Sequence, residues 1–266
     1  MTILTGLFYE ENLGLRAPKG GRWLLEQGGR IFEPQISGHN IGMAGLTGWS
    51  YDGVPLYWVA VCFIDFHTGI AKQASDLTYD PQKTYDKGHL LPAQTYSFTK
   101  PYILSTFTYT NAVPQVSGFN TGQWSTYEKK IREYATSECS PKGGNLYLIT
   151  GISEVSLQEK AGKLEAIQKI PLQDLGTKAA PKVSIPRSMW TAGCCIVPST
   201  GALGSFAVIG NNLKTTKVES LKITELQDFL LIGVKGFGGT AINLFPANPK
   251  CSDPVKDVNL KKRKAT

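Results

Sequence analysis

Long apolar runs are absent from this sequence: the longest, residues 56–64, falls far short of the roughly 20 apolar residues that a membrane-spanning helix needs. No transmembrane helix and no membrane partner are expected. The opening residues MTILTGLFYEENLG carry no basic n-region and reach Glu10 and Glu11 before a signal-like core develops, so either the protein is not secreted or a leader has been lost. Charged residues make up only 18% against 41% hydrophobic ones, which excludes a disordered chain and leaves ample material for a core in 266 residues. Repeats and linkers are missing, so one mixed domain of helices and strands is the economical reading. Cysteine is sparse, and none of the five (Cys62, Cys139, Cys194, Cys195, Cys251) falls in a C-x-x-C pair, so no zinc site is expected. An odd number leaves at least one thiol unless chains pair, and Cys62, within an apolar run, reads as a buried free thiol. Histidine is rarer still. His39 and His67 sit in no pattern and read as surface residues, which leaves His89.

Chemistry is concentrated where that third histidine lies, in residues 85–134: YDKGHLLPA, then FTYTNAVPQ, then FNTGQWSTYEKKIREY. Asp86-Lys87-Gly88-His89 reads as a strand end turning into a loop, since Gly88 permits positive φ and Pro92 closes the stretch. Residues 104–113 alternate aromatic and β-branched residues with small polar ones and end at Pro114, as a half-buried strand would. A helix follows, because Trp124, Tyr127, Ile131 and Tyr134 recur at spacings of three, four and three; these are assigned to the core. Thr121 is its expected N-cap. Asn120 then stands at the helix mouth, where unpaired backbone N–H groups favour phosphate. At about 100° per residue Glu128 lies roughly 80° round from Asn120, with Arg132 one turn further on the same edge. Taken singly these residues are bland: a surface histidine, a helix cap, and an exposed pair worth little. Together they can converge a base, a metal ligand and an acidic group on a phosphodiester.

At these residues the chain resembles the DNA/RNA non-specific endonuclease family, whose pattern is D-R-G-H, then N-x-x-P-Q, then N-x-x-x-W-x-x-x-E. Asp86 to His89, Asn111 with Pro114-Gln115, and Asn120, Trp124 and Glu128 match in order and spacing. The resemblance covers about residues 56–246, and Trp190 followed by Cys194-Cys195 is most similar to its animal, secreted endonuclease domain-containing branch. It implies an α+β fold: a single mixed domain with a central, largely antiparallel sheet and a ββα-metal catalytic core. It implies a magnesium-dependent hydrolase cutting DNA and RNA without sequence preference, leaving 5′-phosphate and 3′-hydroxyl ends, with manganese or calcium as alternative ions. His89 is implied as the general base, a task that suits an imidazole. Asn120 is implied as the one direct protein ligand of the ion, Glu128 as the holder of its waters, and Arg132 as a phosphate contact. Asp86 and Asn111 support them. Lys87 stands where the family has Arg, so the charge is kept and the planar two-pronged grip on phosphate is lost. Hence the alternative reading is a catalytically weakened nucleic-acid-binding protein that kept the fold. The branch is extracellular, which implies secretion and a disulfide between Cys139 and Cys194 or Cys195; an intracellular or nuclear location is the alternative.

Three stretches are expected overall: residues 1–53 as an N-terminal extension packing on the core, 54–250 as the nuclease domain, and 251–266 as a basic tail. Residues 19–30 and 38–53 read as turns and short strands, 54–66 as a buried strand and 69–80 as a polar connection. Beyond the motif, 136–145 reads as a loop, 146–149 as a central strand, 156–180 as a polar surface insertion, and 189–197 and 204–210 as strands. A helix is expected over 224–231, opened by the capping box Thr224-x-x-Gln227. The net charge of +7 fits a polyanionic partner, but Lys261, Lys262, Arg263 and Lys264 carry four of those charges and leave +3 for the rest. That run reads as a solvated end, with a phosphate-binding arm or a nuclear-import patch as alternatives. No base-reading module is present, so sequence specificity should be low. Nothing in the sequence sets an oligomeric state.

Overall fold

The computed structural model describes residues 47–51, 54–60, 84–96, 103, 106–107, 111–161, 163–168, 173–176, 183–234, 241–246 and 248–260. Its centre is the strand pair that the sequence marked most clearly. Strand β10 (Ser188–Val197) lies between β5 (Asn145–Ser153) and β11 (Gly201–Asn211), antiparallel to both. Side chains alternate along a strand. Met189 and Cys195 therefore face one side, where they join Leu146, Leu148, Phe206 and Val208 in one core cluster. Trp190, Ala192 and Cys194 face the other, with Ala207 and Ile209. Both faces are covered, so β10 reads as a mostly apolar run, interrupted by the buried Thr191, and not as an alternation.

The sheet extends on either side to six strands in the order β1-β2-β5-β10-β11-β12, with β1 at Thr47–Tyr51, β2 at Val54–Ala60 and β12 at Val218–Leu221. Every pairing is antiparallel except β2 with β5. Parallel neighbours require a long crossover. Here it is residues 61–144, and it carries the whole motif segment. Within it β3 (Tyr85–His89) pairs antiparallel with β4 (Ala112–Val116) as a separate two-stranded ribbon. Helical residues then run from Ser117 to Lys142: a first turn Ser117–Phe119, a wide π-type turn Asn120–Trp124, the regular helix α1 (Ser125–Tyr134), a second wide turn Ala135–Cys139 and a 3-10 turn Ser140–Lys142. Tyr127, Ile131 and Tyr134 are buried on the first core face, as their spacing predicts. Helix α2 (Ile223–Val234) covers the opposite face with Leu226 and Leu230. The result is an α+β domain with a largely antiparallel sheet and a β-β-α unit laid across one face.

Several expectations need correction. The strand placed at 104–113 is β4, which runs from Ala112 to Val116 and contains Pro114; the described Thr106 and Phe107 lie outside any strand. Proline is tolerated because the Pro114 carbonyl points away from β3 to Asn212, so the N–H it lacks would face the ribbon's open edge. Residues 136–142 are helical, not a loop; Gly143, at φ +72°, ends the run, and its N–H bonds the Ser140 carbonyl. The surface insertion holds an ordered hairpin, β6 (Val155–Lys160) with β7 (Lys163–Gln168), and a short pair, β8 (Asp174–Leu175) with β9 (Val183–Ser184). At α2 the capping contact comes from Glu225, whose carboxylate accepts the Lys222 N–H at 2.8 Å, while Gln227 accepts from Leu244 N–H.

The sheet already begins at Thr47, before residue 54, and residues 251–260 pack onto it: Val258 N–H bonds Ser205 carbonyl at 2.7 Å and Leu260 is fully buried. Expectations for residues 1–46, His39, His67, residues 61–66 with Cys62, residues 69–80 and the run 261–264 lie outside the described residues. The Cys139–Cys195 disulfide is one of the two pairings the resemblance implied, and Cys194–Cys251 was not foreseen. No helix among the described residues is long and apolar enough to cross a membrane.

Candidate active site

The ribbon and the start of the helical run meet at Asp86. Its two carboxylate oxygens accept from Ser117 Oγ at 2.7 Å and from Asn120 Nδ2 at 2.9 Å. A carboxylate only accepts, so it must take the NH2 side of the amide and leaves Asn120 Oδ1 uncommitted to Asp86. Asn120 is thus fixed in orientation with an oxygen to offer. It does not stand at the helix mouth, nor is Thr121 the N-cap: the helical run starts at Ser117, and Thr121 Oγ bonds back to the Ser117 carbonyl at 2.9 Å. A wide turn holds Asn120, and Gly122 (φ −102°, ψ −108°) breaks regular helical geometry just after it. Wide turns of this kind re-aim side chains and recur at functional sites.

His89 ends β3, and alternation puts it on the ribbon face shared with Tyr85 and Lys87, while Asp86 and Gly88 lie on the other. The ring is half-buried and meets Phe107 edge-on, centroids 4.7 Å apart. Burial lowers its pKa below the usual 6.5, and a hydrogen bond to the Lys87 backbone pulls weakly the other way. A ring nitrogen that donates to a carbonyl leaves the other as the acceptor of a neutral imidazole. The turn that follows is held by Asn111, which is buried: its Oδ1 accepts Leu91 N–H at 2.8 Å and its Nδ2 donates to the carbonyls of Thr106 and Leu91. Both arms of that amide bond backbone, so Asn111 holds the loop.

Glu128 and Arg132 share an edge of α1, as the period implies. The Glu128 carboxyl is pushed up to about 8 by burial, against the opposing pull of Arg132 and of a hydrogen bond from Trp124. Arg132 Nη2 donates to Gln94 Oε1 at 2.9 Å, and Gln94 belongs to the 3-10 turn Ala93–Tyr96 just after His89. Arg132 Nη1 is buried with no hydrogen-bond partner among the described residues. A buried guanidinium N–H left open is a place for an acceptor from outside the protein. The structure therefore brings Asp86, Ser117 and Asn120 together, and ties Arg132 to both Glu128 and the turn after His89.

One residue outside the motif matters and carries no signal in the sequence. Asn212, at the end of β11, accepts Val116 N–H at 2.8 Å and donates to the carbonyls of Pro114 and Pro186. It anchors the open edge of the ribbon to the main sheet. A polar residue after a long strand looks like any turn former, and only its partners, 96 and 98 residues away, reveal it.

Among the described residues no three of His, Cys, Asp and Glu converge as a metal cluster. The donors present are oxygens: the Asn120 amide and the Glu128 carboxyl. They suit a hard cation that keeps most of its water. A raised carboxyl fits as well, since a neighbouring cation favours its ionised form. The two lie eight residues apart along the helical run, so Glu128 would reach an ion held by Asn120 only through water.

A family model described as DNA/RNA non-specific endonuclease matches residues 64–231. Over 160 residues the chain is 24% identical to the endonuclease domain-containing 1 protein of Homo sapiens, a match covering 60% of this chain and 27% of that protein. The chain thus spans about a quarter of the length of the curated relative it matches. Among solved structures, the crystal structure of an EndoG/EndoGI complex is similar at TM-score 0.41 and 21% identity, covering 53% of this chain and 52% of that one.

Proposed function

The chain belongs to the DNA/RNA non-specific endonuclease family, and from that premise we propose that it is a magnesium-dependent nuclease. It hydrolyses internal phosphodiester bonds of DNA and RNA with little regard to sequence, and leaves 5′-phosphate and 3′-hydroxyl ends. The observation that supports this best is the Asp86–Asn120 hydrogen bond, which commits the amide nitrogen to the strand that carries His89 and leaves the amide oxygen to offer. Asn120 Oδ1 would be the direct protein ligand of the ion, and Glu128 would hold water in its shell. Magnesium, or manganese or calcium in its place, supplies Lewis-acid stabilisation of charge on the phosphate and the leaving oxygen when bound.

The remaining work falls to side chains of this chain. Neutral His89 accepts a proton from the attacking water, and its lowered pKa keeps the acceptor nitrogen bare at neutral pH. Asn111 holds the turn that sets the ring's position. Arg132 offers its open Nη1 to a non-bridging phosphate oxygen. Lys87 adds a cation on the same ribbon face as His89, as a point charge where a guanidinium would make two parallel bonds. The two disulfides support an oxidising, extracellular setting.

The test is supercoiled plasmid with added magnesium. Nicking and linearisation that vanish with chelator and with His89→Ala are expected. Salt-sensitive binding of nucleic acid without cleavage in any divalent metal would instead favour the weakened, binding-only reading that Lys87 raises.

A further inference from the structure

A cavity of ≈ 180 Å³ opens at the far end of the ribbon from His89, where β3, the β6 hairpin and the turn after β11 meet. Its walls combine an aromatic ring and aliphatic groups (Tyr85, Ile185, Leu213) with polar ones (Ser156, Gln173, Arg187). That mixture is unlike a packing defect, which would be apolar throughout, and unlike a phosphate cradle, which would be polar throughout. It matches the needs of a nucleobase: a planar apolar body to cover, an edge that both donates and accepts, and a cation at its side. An amide side chain such as Gln173 carries both a donor and an acceptor, so it can meet any base edge.

The placement relative to the motif is informative. Tyr85 and His89 lie on the same ribbon face, four residues apart, which is about 13 Å at the usual strand rise. Stacked strands advance about 3.4 Å per nucleotide, and unstacked ones roughly twice that, so the interval is about two to four nucleotides. An exposed turn follows the cavity. Leu213 lines the cavity, and the next residue, Lys214, lies over Gly118, where an added Cβ would come within 3.1 Å of Lys214 Cγ. Gly118 is two residues from Asn120, so the Lys214 side chain packs beside the turn that carries the amide described above.

We propose that the cavity lined by Tyr85, Leu213, Gln173 and Arg187 is a subsite for one unstacked base of the substrate strand, about two to four nucleotides from the cleaved phosphate, with Lys214 contacting the backbone between. The proposal rests on the nuclease reading for its register. A base reaches the cavity only when it leaves its stack, so single-stranded nucleic acid is preferred over duplex, and the identity of the base matters little.

The experiment has a binding arm and a cleavage arm. Binding of a fluorescent ten-nucleotide oligothymidylate to the full-length His89→Ala protein in chelator is measured as a single strand and as a duplex with oligoadenylate, at one fixed salt concentration. The single strand is expected to bind about tenfold tighter, and Ser156→Phe, which fills the cavity, is expected to abolish that difference without changing duplex binding. Leu213→Ala, at a position 58% exposed and therefore tolerant of truncation, should weaken single-strand binding in the same direction. In the cleavage arm, one abasic nucleotide in a single-stranded substrate is expected to depress cutting at a constant offset from the missing base. Equal single-strand and duplex affinities, or an affinity difference that survives both variants, would overturn the subsite. Absence of plasmid cleavage by the unmutated protein would overturn the nuclease reading, and the binding arm alone would then decide the cavity's role.

Discussion

At the level of single residues, the environment of His89 fixes a pH dependence. Its imidazole titrates below 6.5, so it stays neutral at physiological pH, and kcat/KM on plasmid should hold its value near neutrality and fall only on acidification below about 6.5. The same shift acts on stability. Between the folded and unfolded pKa values the unfolded chain binds more protons, so this contribution drops as pH falls through that window; the raised Glu128 carboxyl acts the opposite way, so the drop is read in the Glu128→Gln variant, as a lower Tm at pH 5 than at pH 7. Glu128 offers a complementary test. Its carboxyl, pushed up to about 8 by burial, leans toward the protonated form at neutral pH. Glu128→Gln should therefore keep or raise Tm while cutting plasmid cleavage by about tenfold or more; unchanged cleavage would remove Glu128 from the site. Gly88 is constrained by space and not by a left-handed backbone. An added Cβ would collide with the side chain of Gln115, which is fully buried and has nowhere to go. Gly88→Ala should cost about 1–3 kcal/mol and shift the strand that carries His89. Spacing and the family pattern made these residues legible in the sequence. It hid why Gly88 is needed, because the obstructing amide lies on the partner strand.

Elements differ in how plainly they could be read. Helix α1 was legible because Trp124, Tyr127, Ile131 and Tyr134 face one core, and Ile131→Ala should cost about 2–5 kcal/mol in chemical denaturation. Strands β5, β10 and β11 were legible for the same reason, their apolar runs being long and bounded by turn residues. The ribbon was half legible. β3 appeared where expected, but β4 was displaced by the rule that proline ends a strand, and that rule fails when the missing N–H would have faced an open edge. The wide turn at Asn120 carries no sequence signal, since it depends on the kink at Gly122 and on the grip of Asp86. Asn212 closes the open edge with two hydrogen bonds and ties it to Pro186 with a third. Asn212→Ala leaves a buried N–H and two carbonyls unanswered, so a loss of about 3 kcal/mol is expected. Proteolysis or amide exchange should locate the loosening in the ribbon; exchange unchanged there would assign the anchor elsewhere.

Across the whole molecule the two covalent crosslinks act on opposite layers. Cys139–Cys195 ties the end of the helical run to one face of the sheet, and Cys194–Cys251 ties the C-terminal segment to the other. Each closes a loop of more than 50 residues, worth about 4 kcal/mol in the chain-entropy model. Cys194→Ser with Cys251→Ser should lower Tm and spare cleavage, because the layer it releases lies across the sheet from Asn120. The double variant Cys139→Ser with Cys195→Ser should lower both. The neighbouring thiols also pose a problem of choice that the pleat resolves. In an unfolded chain Cys139 reaches Cys194 as readily as Cys195, for they are adjacent; only after β10 has been laid down do they point in opposite directions. Correct oxidation therefore follows strand formation, and a cell that oxidises this chain too early fills with scrambled isomers unless an isomerase gives each sulfur a second chance.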